Sequence, residues 1–176
     1  MSGVSADHET GQSPSQQLFR ALTFASSLAV VGSYAFPWVD VVGPAIRTDA
    51  TAGEALTGLE ENGGGGTLAA RDIAALPEVT VGFALLVLVV VVLRWNVIGQ
   101  IISGTLGLFA LGVVLFLWAF ITTDGDGGIE LGGQAGPAAS FEPAVGLWVA
   151  LFGSLVILVC GFGAAVREYV RRQEAE

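Results

Sequence analysis

Residues 79–123 read VTVGFALLVLVVVVLRWNVIGQIISGTLGLFALGVVLFLWAFITT and contain one charged residue, Arg94. An α-helix needs about 20 apolar residues to cross the hydrocarbon core of a bilayer, which is about 30 Å thick. The segment is long enough for two crossings, and residues 94–96 interrupt it where a tight turn would join them. The first part, residues 79–93, reaches only about 22 Å, so its helix must include flanking residues. We therefore predict an antiparallel pair of transmembrane helices.

Two more apolar runs flank this pair. Residues 21–39 are an uncharged run of 19 residues, and residues 143–166 are also uncharged. The prediction is an all-α fold, an integral membrane four-helix bundle with two extracytoplasmic loops. Its helices cover about residues 18–38, 78–95, 97–121 and 144–166, and its outer loops about 39–77 and 122–143. The transmembrane domain is residues 18–170, between a disordered cytoplasmic tail (1–17) and a second cytoplasmic tail (171–176).

The composition also indicates a membrane protein. Hydrophobic residues make up 53% of the 176 residues and charged residues 13%, and the mean hydropathy is +0.71. About a quarter of the residues in a soluble domain are charged. One cysteine excludes a disulfide scaffold, and the lack of a basic stripe disfavours nucleic acid as a partner. The lipid bilayer is the first predicted partner.

The first apolar run has a second interpretation. Ser33-Tyr34-Ala35 resembles the small-residue cleavage site of a secretory signal peptide. However, the preceding segment is long and acidic, and the apolar run is longer than the core of a typical signal peptide. A retained helix is therefore the preferred interpretation, and cleavage is the alternative.

The arginines predict the orientation. With the N-terminus inside, five basic residues lie at inner helix ends and two in the outer loops, which is a positive-inside pattern. Eleven of the 16 acidic residues lie outside, so the outer side carries −9 and the inner side zero. The protein is predicted to be a multi-pass protein of the cell membrane with both termini in the cytoplasm. The inner arginines are Arg20, Arg94, Arg167, Arg171 and Arg172, and the outer ones are Arg47 and Arg71.

The charge composition has two explanations. The formal net charge is −9 and no lysine occurs. Acidic surfaces without lysine are typical of proteins that work at high salt, where carboxylates keep the surface hydrated and salt screens their repulsion. The alternative is codon bias in a GC-rich genome, which also replaces lysine by arginine.

All four tryptophans lie close to predicted helix ends. Trp38, Trp118 and Trp148 fall at outer ends and Trp95 at an inner end. Amphipathic rings concentrate at the two headgroup levels of a membrane. We therefore predict that these residues are interface anchors.

Small residues recur at every fourth position on three of the helices. Fourfold spacing places such residues on one helix face, where they allow two membrane helices to approach closely. The second helix has no such series, and its bulky 85–93 run is predicted to face lipid. The alternative is chance, because Gly and Ala are abundant in this sequence. The predicted packing residues are Ala21, Ala25, Ala29 and Ser33; Gly99, Ser103 and Gly107; and Gly146, Ala150 and Ser154.

The sequence contains no recognisable catalytic or cofactor motif. No ionisable residue lies in the predicted helix interiors, which argues against a proton-coupled carrier and a haem site. His8 is interpreted as a tail residue and Cys160 as a small hydrophobe. We therefore expect no enzyme activity and no cofactor.

The two outer loops offer little further chemistry. Asp124, Asp126 and Glu130 resemble the opening of a calcium loop, but the third and closing acids of that motif are absent, so these are weak metal candidates only. The four glycines at 63–66 are a hinge rather than a phosphate loop, since no Lys-Ser or Lys-Thr follows. A short helix is predicted over 68–76, ended by Pro77.

Short motifs carry a resemblance to a known group. The chain has Phe36-Pro37-Trp38 after helix one and Leu56-Thr57-Gly58-Leu59-Glu60 in the first outer loop. In these it resembles small, uncharacterised four-helix membrane proteins of archaea and actinobacteria, over about residues 18–93. Its layout is also similar to the tetraspanins and claudins, which organise membranes through helix packing and outer-loop contacts. It lacks the outer-loop cysteines of both families, and its longer outer loop comes first.

Two functions are consistent with this sequence. The first is a non-enzymatic membrane organiser, scaffold or accessory subunit that uses helix packing and an acidic outer surface, with other membrane proteins or a second copy of itself as partners. The alternative is a small permease, or a membrane subunit of a transporter, for a neutral or apolar solute.

Overall fold

A computed structural model describes residues 13–42, 47–51, 75–124 and 140–174. These residues form four helices: α1 (Pro14–Ser33), α2 (Leu76–Leu93), α3 (Val97–Asp124) and α4 (Val145–Gln173). They also form three strands: β1 (Pro37–Val42), β2 (Arg47–Thr51) and β3 (Ser140–Pro143). The prediction of a mainly helical chain with four helices is confirmed.

Three of the helices are long and apolar enough to cross a membrane. They are α2 over its whole length, α3 over Val97–Ala119, and α4. Helix α1 is not in this group, because its first turns contain Gln16, Gln17 and Arg20 and because it ends at Ser33.

Helix α1 begins and ends earlier than the predicted 18–38. It starts at Pro14, and proline suits the first turn because an N–H is not needed there. It ends at Ser33 because Pro37 disfavours the helical conformation in the residue before it. The indole Nε1 of Trp38 then donates a hydrogen bond to the Ser33 carbonyl oxygen at 2.8 Å, which satisfies one of the free carbonyls at the helix end.

The three strands form a small antiparallel sheet, which the all-α prediction did not include. Strand β1 lies in the centre between β2 and β3. In its register, Asp40 is the Cα partner of Asp49 on one side and of Glu142 on the other. The Ala144 N–H donates to the Trp38 carbonyl oxygen at 3.0 Å, where β3 leads into α4. The sheet therefore closes the end of the bundle where α1 ends and α4 begins.

The helices pack as an antiparallel bundle. The main contacts of α1 are with α2 and α4, and those of α3 are with the same two helices. Gly153 of α4 lies against Val30 of α1, and Gly163 lies against Phe19, so the two helices run in opposite directions. Between α2 and α3, the rings of Phe83 and Phe109 stack with centroids 6.0 Å apart.

The buried apolar residues form two clusters along the bundle. One lies next to the sheet and the other reaches the opposite end, where Trp95 follows α2. The cluster at the sheet end contains Trp38, Val114, Leu117, Ile121, Leu147 and Ala150. The other contains Val30, Ala84, Val87, Val91, Trp95, Ile157 and Ala164.

Several predicted features lie outside the described residues. These are most of the tails, the glycine run at 63–66, the Leu-Thr-Gly-Leu motif, and two of the weak metal candidates, Asp126 and Glu130. Asp124 is the last residue of α3. Residues 68–74 of the predicted 68–76 helix are also outside them, Ala75 is a turn residue, and Leu76 begins α2. Pro77 lies in the first turn of α2, so it starts a helix rather than ending one.

Candidate helix-packing interface

Glycines of α3 and α4 bring the backbones of these two helices close together. A Cβ atom added to Gly161 would lie 2.5 Å from the backbone nitrogen of Gly104 and 2.7 Å from its Cα. It would also lie 3.0 Å from the carbonyl oxygen of Gln100. All three atoms belong to the backbone, which cannot move away as a flexible side chain can. Only glycine therefore fits at position 161 with the helices this close.

Two further glycines of α3 extend this contact. A Cβ on Gly107 would lie 2.8 Å from the Leu158 backbone nitrogen and 2.8 Å from Cγ2 of Ile157. A Cβ on Gly104 would lie 3.0 Å from the ring of Phe162. We call Gly104, Gly107 and Gly161 the glycine seam. Of these, only Gly107 belongs to a predicted fourfold series.

The other two residues of the predicted α3 series have different environments. Gly99 lies against the Arg94 carbonyl oxygen, and its N–H donates to Oδ1 of Asn96 at 2.8 Å. Gly99 therefore fits the tight turn before α3 and the side-chain cap of that helix. Ser103 is fully buried.

The predicted series of α4 is buried throughout, but its members meet different elements. A Cβ on Gly146 would lie 2.5 Å from Cδ1 of Trp38, so this glycine admits the tryptophan ring. Ala150 belongs to the apolar cluster next to the sheet, and Ser154 is fully buried. Gly153, outside the series, gives the close contact with Val30 of α1.

The predicted series of α1 mostly faces outward. Ala21, Ala25 and Ala29 are exposed, and only Ser33 is buried. The buried face of α1 consists of Thr23, Ser27, Val30 and Ser33. Its hydroxyl groups donate to carbonyls of the same helix, from Thr23 to Phe19, from Ser27 to Thr23 and from Ser33 to Val30. Three of the four residues in the predicted α1 series therefore lie on a face that does not pack inside this bundle.

The bulky 85–93 run predicted that α2 faces lipid along that whole stretch. In the structure, one side of this run is buried instead. Val87 and Val91 are each 1% exposed, whereas Val89 is 52% exposed. Ala84 and Thr80 continue the buried face. A run of valines and leucines has no polarity contrast to mark its inner side, and the structure supplies that information.

The four tryptophans divide into two pairs. Trp118 and Trp148 are exposed on the surface of the bundle. Trp38 and Trp95 lie in the interior, one in each apolar cluster. A buried ring does not contact lipid, so the interior pair contributes to packing.

Four buried polar atoms have no hydrogen-bond partner within the described part of the chain. They are Nε1 of Trp95, Oε1 of Gln100, Oγ of Ser103 and Oγ of Ser154. Gln100 is 1% exposed and was missed in the sequence, because only ionisable residues were sought within the apolar runs. The sequence does distinguish this residue, since Gln100 is the only amide side chain in the 79–93, 97–121 and 144–166 segments.

A groove runs along the outer surface between α1 and α4. It has a volume of about 440 Å³, and the exposed Ala29 forms part of its wall. The remaining lining residues are Ser26, Val145, Trp148, Val149, Phe152, Gly153 and Val156.

Polar contacts are concentrated at the end of the bundle opposite the sheet. Arg20 donates from Nε to the Val91 carbonyl oxygen at 3.1 Å, which ties α1 to the end of α2. Gln16 donates to Oε2 of Glu168 at 2.6 Å, which ties α1 to the end of α4. Glu168 also pairs with Arg171 at 3.6 Å and Arg172 at 3.5 Å.

Among the residues that the structure describes, no three His, Cys, Asp or Glu side chains come together in a way that could hold a metal ion. No protein family model matches the sequence, and no curated protein is significantly similar to it. The resemblance to small four-helix membrane proteins therefore stays a prediction that depends on the short motifs quoted above.

Proposed function

We propose that the protein is a non-enzymatic integral membrane protein that acts as a scaffold or accessory subunit, with a partner helix bound at the exposed face of α1. The observation that carries this proposal is the position of Ala21, Ala25 and Ala29. They are exposed on one face of α1, and Ala29 borders the groove against α4. Small residues at this spacing allow a second helix to approach closely in a membrane. The partner is another membrane protein or a second copy of the chain.

The distribution of apolar residues supports a membrane setting. Leu22, Phe24 and Leu28 of α1 are exposed, while Thr23 and Ser27 beside them are buried. In water such an arrangement would be unfavourable, because it leaves large apolar side chains exposed to solvent. In lipid it is favourable. We propose that all four helices span the membrane, with both termini in the cytoplasm, and that the sheet and outer loops form an acidic outer surface.

Cysteine crosslinking tests the partner face. In a Cys160→Ala background, single substitutions Ala25→Cys and Ala29→Cys place a thiol on the exposed face of α1, and oxidation in native membranes should trap a crosslinked species. Ala119→Cys is the matched control, because Ala119 is also an exposed alanine but belongs to α3. Equal crosslinking at positions 25, 29 and 119 would contradict the proposal.

A second candidate function is a small permease, or a membrane subunit of a transporter, for a neutral solute. The unpartnered Oε1 of Gln100 and Oγ of Ser103 support it, since both are buried on α3 and lie one helical turn apart. An unpartnered buried polar group costs about 1–3 kcal/mol, and a passing polar solute would provide hydrogen bonds. Flux of a small polyol into liposomes that contain the purified protein tests this function. A rate equal to that of empty liposomes, or one unchanged by Gln100→Leu, would contradict it.

A further inference from the structure

The arginines at the end of the bundle opposite the sheet are not equally engaged. Arg20 donates to the backbone of α2, and Arg171 and Arg172 share the single carboxylate of Glu168. Within residues 13–42, 47–51, 75–124 and 140–174, the guanidinium groups of Arg94 and Arg167 form no ion pair or hydrogen bond. Both residues are exposed.

This end of the described structure also carries excess positive charge. Among the described residues at this end, five arginines accompany two acidic residues, Glu168 and Glu174, while the remaining inner acids, Asp7, Glu9 and Glu176, belong to the tails outside the described residues. Glu168 is already occupied by Gln16, Arg171 and Arg172. The free positive charge at this end is therefore centred on Arg94 and Arg167.

Both arginines are placed at the depth of lipid headgroups. The apolar part of α4 ends at Val166, and residues 167–173 extend it by about 10 Å. The headgroup region occupies about 5–8 Å on each side of the hydrocarbon core. Exposed Tyr169 and Val170 lie among these residues, and aromatic rings favour this level. Because α3 and α4 are antiparallel and touch at Gly104 and Gly161, the turn with Arg94 lies at the same end.

We propose that Arg94 and Arg167 bind the phosphodiester group of an anionic phospholipid in the inner leaflet. A guanidinium offers a planar fork of N–H donors that matches two phosphate oxygens, and this pairing is stronger than that of a lysine. Since the predicted outer side carries −9 and the predicted inner side zero, an anion is expected to bind at this end rather than at the sheet end. The proposal needs a membrane-spanning bundle, but it does not depend on the scaffold role.

Lipid binding to the purified protein in a non-ionic detergent tests the proposal and does not require knowledge of the orientation. The probes are dioleoylphosphatidylglycerol, dioleoylphosphatidylcholine and inorganic phosphate, and native mass spectrometry counts the bound lipids. The wild type should retain phosphatidylglycerol in preference to phosphatidylcholine. Each substitution Arg94→Gln or Arg167→Gln should weaken this retention about 5-fold, and the double variant about 30-fold.

The matched control is the double variant Arg47→Gln/Arg71→Gln. It changes the net charge by the same amount, in β2 and in the predicted first outer loop. Its retention of phosphatidylglycerol should equal that of the wild type. Equal losses in the two double variants would overturn the proposal, as would equal retention of both lipids. Displacement of phosphatidylglycerol by millimolar phosphate would show a site for the free anion and would also overturn it. Should the Arg94→Gln/Arg167→Gln variant not fold, the single variant Arg167→Gln gives the same comparison against Arg47→Gln.

Discussion

Substitution of Gly161 by alanine is the most direct test of the glycine seam. The new methyl group would lie 2.5–3.0 Å from three backbone atoms of α3, whereas non-bonded carbon atoms prefer about 3.5–4.0 Å. Helices α3 and α4 would have to separate by about 1 Å. Such a gap removes a quarter to a half of the dispersion energy of each contact along the seam. Overpacking costs about 1–3 kcal/mol, and because the clash is with backbone atoms of α3, Gly161→Ala is placed at the upper end, about 3 kcal/mol.

Gly112→Ala is the matched control. Apart from the adjoining residues and backbone of its own helix, no atom of the described residues lies within 4 Å of the position that a Cβ on Gly112 would take. Alanine favours a helix over glycine by about 1 kcal/mol, so this variant should be as stable as the wild type or slightly more stable. The measurement is unfolding in mixed micelles with increasing SDS, followed by circular dichroism. Gly107→Ala should lie between the two, because part of its clash is with the Ile157 side chain. Equal stabilities of the Gly161→Ala and Gly112→Ala variants would refute the close contact between α3 and α4.

Three further predictions concern α2, the topology and the effect of salt. Val91→Ile should destabilise the bundle by about 1–3 kcal/mol and Val89→Ile should be nearly silent, since only Val91 is buried; equal unfolding midpoints would contradict this. Cysteines at Gly64 and Gly127 should react with an impermeant maleimide on intact cells, whereas one at Gly3 should react only after permeabilisation, and the opposite pattern would reverse the orientation. The melting temperature should rise with NaCl into the molar range, because the Debye length falls from about 10 Å at 0.1 M to about 3 Å at 1 M and repulsion within the acidic outer side weakens. A melting temperature that stays constant or falls as NaCl is added would contradict the interpretation that the protein is adapted to high salt.

The apolar runs predicted the long helices well, and the reason is physical. A membrane-spanning segment must satisfy its backbone hydrogen bonds within the protein, because the hydrocarbon core holds no water. An uninterrupted apolar sequence of sufficient length therefore favours an α-helix. This holds for α2, α3 and α4, and Arg94 marked the turn between the first two of them correctly. It fails at the end of α1, where the apolar run continues to Val39 but residues 37–42 form β1, which pairs with β2 and β3. Val39 and Val41 suit a strand as well as a span, and only the partner strands decide between the two.

The packing faces were harder to predict, because spacing identifies a face without saying what covers it. Gly107 and Ala150 of the predicted series lie in the interior, and Gly161, which belongs to no predicted series, contacts Gly104 of another helix. The fourfold alanines of α1 gave a regular pattern, yet they are exposed. Contacts between helices depend on rotation and depth, and neither is contained in the spacing within one helix.

Helix α1 combines the features that link this fold to its proposed role. Its buried face carries Thr23 and Ser27, whose hydroxyls are satisfied within the helix, and its first turns are anchored through Gln16 and Arg20. This polarity keeps α1 below the apolar content of the other three helices, so in the proposed four-helix topology α1 depends on its packing against α2 and α4. A helix held in this way can expose small residues without losing its position. In the proposed function the alanine face of α1 binds a partner helix, while the glycine seam holds α3 close to α4.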